Sequence, residues 1–186
     1  MPEHFLISDT HFGHEKCCTT FKRSDGSPLR PFASAEEMDE EMVKRWNEVV
    51  RPNDKVYHLG DVVIARKNLH ILGRLNGKKR LIRGNHDIFS TSDFFAHFDE
   101  IYGVRVLDDM ILSHIPLHPD CVTERFQTNV HGHLHANDIP DGRYLCVCVE
   151  HTDYRPIPLH IVRERIIEKK RRFPVKQKTE RNHGPG

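Results

Sequence analysis

HFLISDTHFGHE (His4–Glu15) is a short apolar run that stops on a polar cluster. Its first five residues read as a strand, and Asp9 and His11 stand just past its end. The same arrangement recurs along the chain. KVYHL (Lys55–Leu59) runs into Gly60-Asp61, KRLIR (Lys79–Arg83) into GNHD (Gly84–Asp87), and MILSH (Met110–His114) closes on its own histidine. A fifth cluster, VHGHLHAND (Val130–Asp138), sets His131, His133 and His135 at alternate positions. Three imidazoles fill a core poorly, because each ring nitrogen needs a partner. In α/β sheets, loops at the carboxyl ends of strands bring distant residues together, so these clusters predict one shared site.

Helix signals separate the strands. SAEEMDEEMVKRWNEVV opens with Ser34 and Glu37 in capping-box register. Its Met38, Met42, Trp46 and Val49 recur at helical spacing, and Pro52 follows the end. A shorter helix is expected through Leu69, Leu72 and Leu75, and Phe94, Phe95 and Phe98 mark another helical face. RYLCVCVE and IPLHIV read as closing strands, followed by a charged helix and a basic tail. The alternation of strand and helix signals gives an α/β class.

At 186 residues, 37% apolar and 30% charged, the chain fits one globular domain. No apolar run is long enough for a membrane span, and no basic region with a long apolar stretch opens the chain. A cytoplasmic protein without membrane association is expected. The five cysteines include Cys17-Cys18 and the pair Cys146 and Cys148, a pattern of neither disulfide framework nor CxxC zinc site. Of the 28 Lys/Arg and 27 Asp/Glu, nine and three lie from Ile161 onward, a local balance of +6. The preceding 160 residues carry −5, which suits a cation-binding body. Residues 1–172 are read as the domain and 173–186 as a basic, disordered tail.

Together the clusters offer two Asp, one Asn and four His, with no thiolate. Such a set suits manganese, iron, zinc, nickel or cobalt rather than calcium or a structural zinc. Seven ligands exceed the needs of one ion. They suit two if a carboxylate bridges, with the metals about 3.5–4 Å apart, an arrangement that activates water and neutralises phosphate oxygens.

DTH (Asp9–His11), GD (Gly60-Asp61), GNHD (Gly84–Asp87), SH (Ser113-His114) and GHLH (Gly132–His135) stand in the order found in calcineurin-like metallophosphoesterases. The chain resembles that superfamily over about residues 4–136. The resemblance implies a four-layer αββα sandwich, two mixed sheets flanked by helices. It implies Asp9, His11 and His135 as ligands of one metal, Asp61 as the bridge, and Asn85, His114 and His133 as ligands of the second. It also implies His86 as the group that stabilises the phosphate or protonates the leaving oxygen. Asp87 fits a role in fixing the turn or orienting a neighbour. His131 fits either support of a ligand from behind or loop packing, and His14 and His118 are candidates for lining the substrate pocket.

One departure matters. The phosphoprotein phosphatase branch continues its second motif as GDxxDRG, whereas GDVVIARKN places Ile64 and Ala65 at that Asp and Arg. Without this phosphate clamp a singly charged diester is the favoured substrate, although Arg66, Lys67, Arg83 or a tail residue could compensate. The expected protein is therefore a phosphodiesterase, active also on monoesters if such compensation exists, with two divalent ions, manganese foremost. Nucleotides or nucleic acid are the expected phosphoester partners. A nuclease or RNA-end processing enzyme with a backbone-tracking tail is one alternative, and a non-catalytic scaffold on the same fold another. The residue pattern selects neither a natural substrate nor an oligomeric state.

Overall fold

The strand that opens the chain forms one residue shorter than expected, and its neighbours assemble around it. In this computed structural model residues 2–123 and 125–174 are described, so the tail beyond residue 174 lies outside the described residues. In chain order they form β1 (His4–Ile7), α1 (Glu15–Thr19), α2 (Ala35–Val49), β2 (Lys55–His58), β3 (Lys78–Ile82), α3 (Thr91–Phe95) and β4 (Glu100–Tyr102). There follow β5 (Val104–Leu107), β6 (Met110–Ser113), β7 (Thr128–His131), β8 (Tyr144–Cys146), β9 (Ile157–Pro158) and α4 (Leu159–Arg172).

The strands make two mixed sheets. The first has the order β4-β3-β2-β1-β9, with β1 to β4 parallel and β9 antiparallel to β1. The second has the order β5-β6-β7-β8, an antiparallel hairpin joined to two parallel strands. Both faces of β1 are buried, as its continuous apolar run requires. Leu6, Tyr57 and Ile82 face Met110, Leu112, Val130 and Leu145 between the sheets. Phe5, Ile7, Val56 and Leu81 face the other way, onto Met38, Met42 and Trp46 of α2.

Helices flank the sheets unequally. Those of the first half cover the outer face of the first sheet, whereas α4 lies against β1, β9 and β8 and sends Val162 and Ile166 between the sheets. The outer face of the second sheet is tied to a loop: Asn129 Oδ1 accepts from Leu117 N–H, and Tyr144 Oη donates to the Leu117 carbonyl. Among the described residues no helix is long and apolar enough to cross a membrane, and all five cysteines are free.

Local signals held where the side chain could act alone. Ser34 caps α2 by accepting from Glu37 N–H, but the Glu37 carboxylate takes Ala33 N–H, one residue before the expected partner. Other signals yielded to packing. The Leu69–Leu72 segment is a 3-10 helix, Arg66–Arg74, and IPLHIV divides after Pro158 so that Val162 reaches the inter-sheet core on a helix. Phe94 and Phe98 are buried while Phe95 is 56% exposed, because α3 is a single turn. The strands β4 and β5 were not among the expected elements, β4 being only three residues long and β5 four.

Register brings the clusters together. Ile7, His58 and Leu81 lie side by side, as do Ser113, His131 and Cys146. Beyond them the backbone keeps pairing: Asp9 N–H donates to the Gly60 carbonyl, Gly132 N–H to His114, and Ser8 N–H to Val147 across the two sheets. The two sheets thus end on one continuous polar edge.

Candidate metal centre

The chain turns sharply at this edge. Asp9, His11, Asp61, His133 and His135 have φ of 58°, 46°, 57°, 69° and 51°. Residues with a Cβ avoid this left-handed region at a cost of about 1 kcal/mol or more each, so such a concentration marks a site that the surrounding fold enforces. Glycines let the turns approach one another. A Cβ on Gly60, itself at φ +94°, would stand 2.6 Å from the Gly84 nitrogen and 2.7 Å from His114 Nδ1. One on Gly132 would stand 2.4 Å from Asp9 Oδ2.

The proposed ligand atoms converge in two groups, with Asp9 and Asp61 between them. His11 Nε2 lies 3.6 Å from Asp9 Oδ1 and 3.6 Å from Asp61 Oδ2, and His135 Nε2 lies 4.0 Å from Asp9 Oδ1. On the other side, His114 Nε2 lies 3.4 Å from Asp61 Oδ2. Asn85 Oδ1 is 2.9 Å from His114 Nε2 and 3.0 Å from His133 Nδ1. Separations near 3.5 Å are those of atoms sharing an ion at about 2.0–2.2 Å each. Asp9 Oδ1 and His11 Nε2 are buried with no hydrogen-bond partner. Buried polar atoms are nearly always satisfied, so two orphans facing each other fit a cation's ligands. Asp9, His11 and His135 could hold one ion, and Asp9, Asp61 and His114 another, with Asn85 joined to the second group through its contacts with His114 and His133.

Electrostatics follow from this crowding. Burial alone would raise the Asp9 carboxyl, but the imidazole of His11 at 3.6 Å, with His114 and His135 behind, holds it well below the usual carboxylate range. Burial pushes His11 down. His114 also suffers burial, yet the Asp61 hydrogen bond and the charges of Asp9 and Asp61 raise it to about 9.

Neighbours orient these side chains. His114 Nδ1 sits 2.8 Å from the Leu59 carbonyl, which turns Nε2 toward Asp61. Asp9 Oδ2 accepts from Ser8 Oγ, His133 N–H and Cys148 Sγ at 2.6, 2.9 and 3.2 Å. Asp87 gathers the N–H groups of Asp61, Val62 and Gly84, the turn-fixing role its motif suggested. Nothing in the sequence marked Ser8, Cys148, Arg30 or Glu150 as neighbours of the site, since Cys148 read only as a free thiol and the others lay outside the motifs. A cysteine or arginine gives no local sign of what it meets across the fold.

The remaining candidates separate. His86 is exposed; its N–H donates to Asp61 Oδ1, and its ring stands edge-on to His11 with centroids 5.5 Å apart. His14 lies 5.5 Å from the His11 ring, bonds Cys17 Sγ, and is pushed down to about 4 by burial and by the charge of His11. His118 instead caps the 3-10 turn Pro119–Cys121, accepting from Asp120 N–H in an exposed loop. His131 packs on Tyr144 and bonds the Gly132 carbonyl, so its observed partners are those of loop packing. Neither arginine offered as a replacement clamp is free. Arg83 holds the Asp87 and Phe89 carbonyls, and Arg66 pairs with Asp93. The rim carries apolar side chains, Ile88 at 76% exposure beside the GNHD turn and Ile115 at 52% after His114.

No family model matches the chain. It is 35% identical over 180 residues to the uncharacterized protein MJ1445 of Methanocaldococcus jannaschii, covering 89% of this chain and 91% of that one. It is 28% identical over 171 residues to the gene 66 protein of Mycobacterium phage L5, covering 73% and 79% of the two chains. The crystal structure of AQ665, a protein of unknown function from Aquifex aeolicus, superposes with a TM-score of 0.67 at 27% identity. That superposition covers 88% of this chain and 99% of the other.

Proposed function

The chain belongs to the family of the Methanocaldococcus jannaschii protein MJ1445, and we propose that it is a metal-dependent phosphoesterase of the calcineurin-like type, acting on phosphodiesters. The observation that carries this reading is the pair of orphaned atoms, Asp9 Oδ1 and His11 Nε2, set among imidazoles and oxygens that share Asp61. The donor set of oxygen and imidazole without thiolate suits manganese, iron, nickel, zinc or cobalt, and manganese is the occupant proposed, since availability rather than the ligands decides among them. Two divalent ions would supply Lewis acidity to a phosphoryl oxygen and to an attacking water.

The residues of the chain do the rest. Asp61 Oδ2 faces both groups while Oδ1 is held by His86 N–H, so the bridge and the GNHD turn are positioned together. His86 stands on the solvent side with its ring beside His11, where it can hold a phosphate oxygen or pass a proton to a departing alkoxide. Arg66 and Arg83 are both committed to the fold, so neither guanidinium is free to clamp a dianionic monoester. The exposed Ile88 and Ile115 suit an ester whose second arm is partly apolar.

The test is hydrolysis of bis-p-nitrophenyl phosphate beside p-nitrophenyl phosphate, with chelator-stripped protein and each metal restored in turn. Diester turnover should return with manganese and be lost in Asp61→Ala by more than about 10³-fold, beyond the range for a single electrostatic contact. His86→Ala should lower turnover by about 10²–10⁴-fold while two ions still bind. Preference for the monoester would overturn the substrate assignment, and absence of turnover in protein that binds two ions would overturn the enzyme.

A further inference from the structure

Arg30 and Glu150 are far apart in the chain, and both side chains are fully buried. Two charges in such a place are costly unless each is paired and hydrogen-bonded. Arg30 Nε donates to Glu150 Oε1 at 2.9 Å, while Nη1 and Nη2 donate to the Thr10 and Asp9 carbonyls at 2.7 and 2.5 Å. Glu150 Oε1 also lies 3.2 Å from His135 Nδ1, and the other nitrogen of that ring faces Asp9 Oδ1. The pair therefore clasps two loops at once. One is the left-handed turn of Asp9 and His11, the other the loop of His135.

For stability alone, an apolar pair of similar volume would often serve as well as a buried ion pair. What an apolar pair cannot do is orient an imidazole. A histidine that ligates through Nε2 needs an acceptor for its Nδ1–H, and an ionised carboxylate also raises the basicity of the ring. Arg30 keeps Glu150 in place and grips the peptide carbonyls on either side of the Asp9–Thr10 bond. The second group has its own support, with His114 Nδ1 on the Leu59 carbonyl.

We infer that Arg30 and Glu150 are positioning residues for the ion site of Asp9, His11 and His135, and that they act on this site rather than on that of Asn85, His114 and His133. The inference rests on the metal-centre reading above.

The experiment is calorimetric titration of the chelator-stripped full chain with Mn²⁺, comparing wild type, Glu150→Gln and Glu150→Ala. Gln keeps the size of the side chain and an acceptor for His135 but loses the charge that meets Arg30. Wild type should bind two ions; Glu150→Ala should weaken one by about 10–100-fold and leave the other within about twofold, with Glu150→Gln between wild type and Ala. Co²⁺ absorption, read in parallel, should change for one site only. Equal weakening of both ions, or of neither, would overturn the inference while leaving the metal centre standing. Wild type that binds no divalent ion would overturn the metal-centre reading, and the inference with it. Should Glu150→Ala fail to fold, Glu150→Gln decides on the same two readouts.

Discussion

The two halves of the centre are built differently. Asp9 is 0% exposed and His11 2%, both on strained turns, with His135 backed by a buried carboxylate. In the other half His114 is equally buried and His133 is half-buried, as His135 is, but Asn85 is exposed, so that side opens further to solvent. A buried ligand set is preorganised by packing and charge, whereas a solvent-facing one has water competing for its atoms. The difference teaches that shared motifs need not make equal sites: the enclosed half should hold its ion tightly, and the open half should exchange it.

The sharpest break would come from removing one ligand in each half. His11→Ala should abolish the tight binding event and, with it, about 10³-fold or more of diester turnover, a loss larger than for one electrostatic donor. Asn85→Ala should weaken the other ion by about 10–100-fold, a loss of the size seen for outer partners, since water can take its place. Metal content after gel filtration, measured by mass spectrometry, distinguishes them. Equal losses would mean that the halves are equivalent.

A smaller effect concerns the floor of the enclosed half. Asp39 Oδ1 accepts from Gly13 N–H just beyond the Asp9–His11 turn, and burial raises this carboxyl to about 6. A carboxyl whose pKa is higher folded than unfolded binds its proton more tightly when folded, so stability falls as pH rises from about 4 to about 6. Asn keeps the acceptor and never ionises. Asp39→Asn should therefore match wild type at pH 4 and exceed it by about 1–2 kcal/mol at pH 7, after screening by solvent. Denaturant unfolding across that range checks it, and parallel curves would show that Asp39 ionises freely.

The smallest effect should spare both halves. Ser34→Ala removes the α2 cap and should cost about 1 kcal/mol in urea unfolding, with both Mn²⁺ affinities unchanged. A change in either affinity would mean that α2 transmits strain to the turns above it.

Much of this protein was legible residue by residue. Strand ends carrying Asp9, Asp61, Asn85 and His114 were readable because apolar runs and polar stops are local patterns. The Ser34 cap was readable because a hydroxyl and an N–H three residues apart need nothing else. The loop histidines stood out by their alternation and the resemblance singled out His133 and His135, while His131, in the same alternation, ends on the other side of β7 from the inter-sheet core and packs there on Tyr144. Sequence by itself thus determined the α/β class, the main strands and the side chains that reach the centre. Only the tertiary structure decided which chain segment lies behind each ligand. Arg30 meets Glu150 across 120 residues, Cys148 meets Asp9 across 139, and Val162 leaves a strand-like stretch for a helix. Such contacts are set by sheet order and register, which depend on the packing of the whole chain and leave no periodic trace in any short stretch of it.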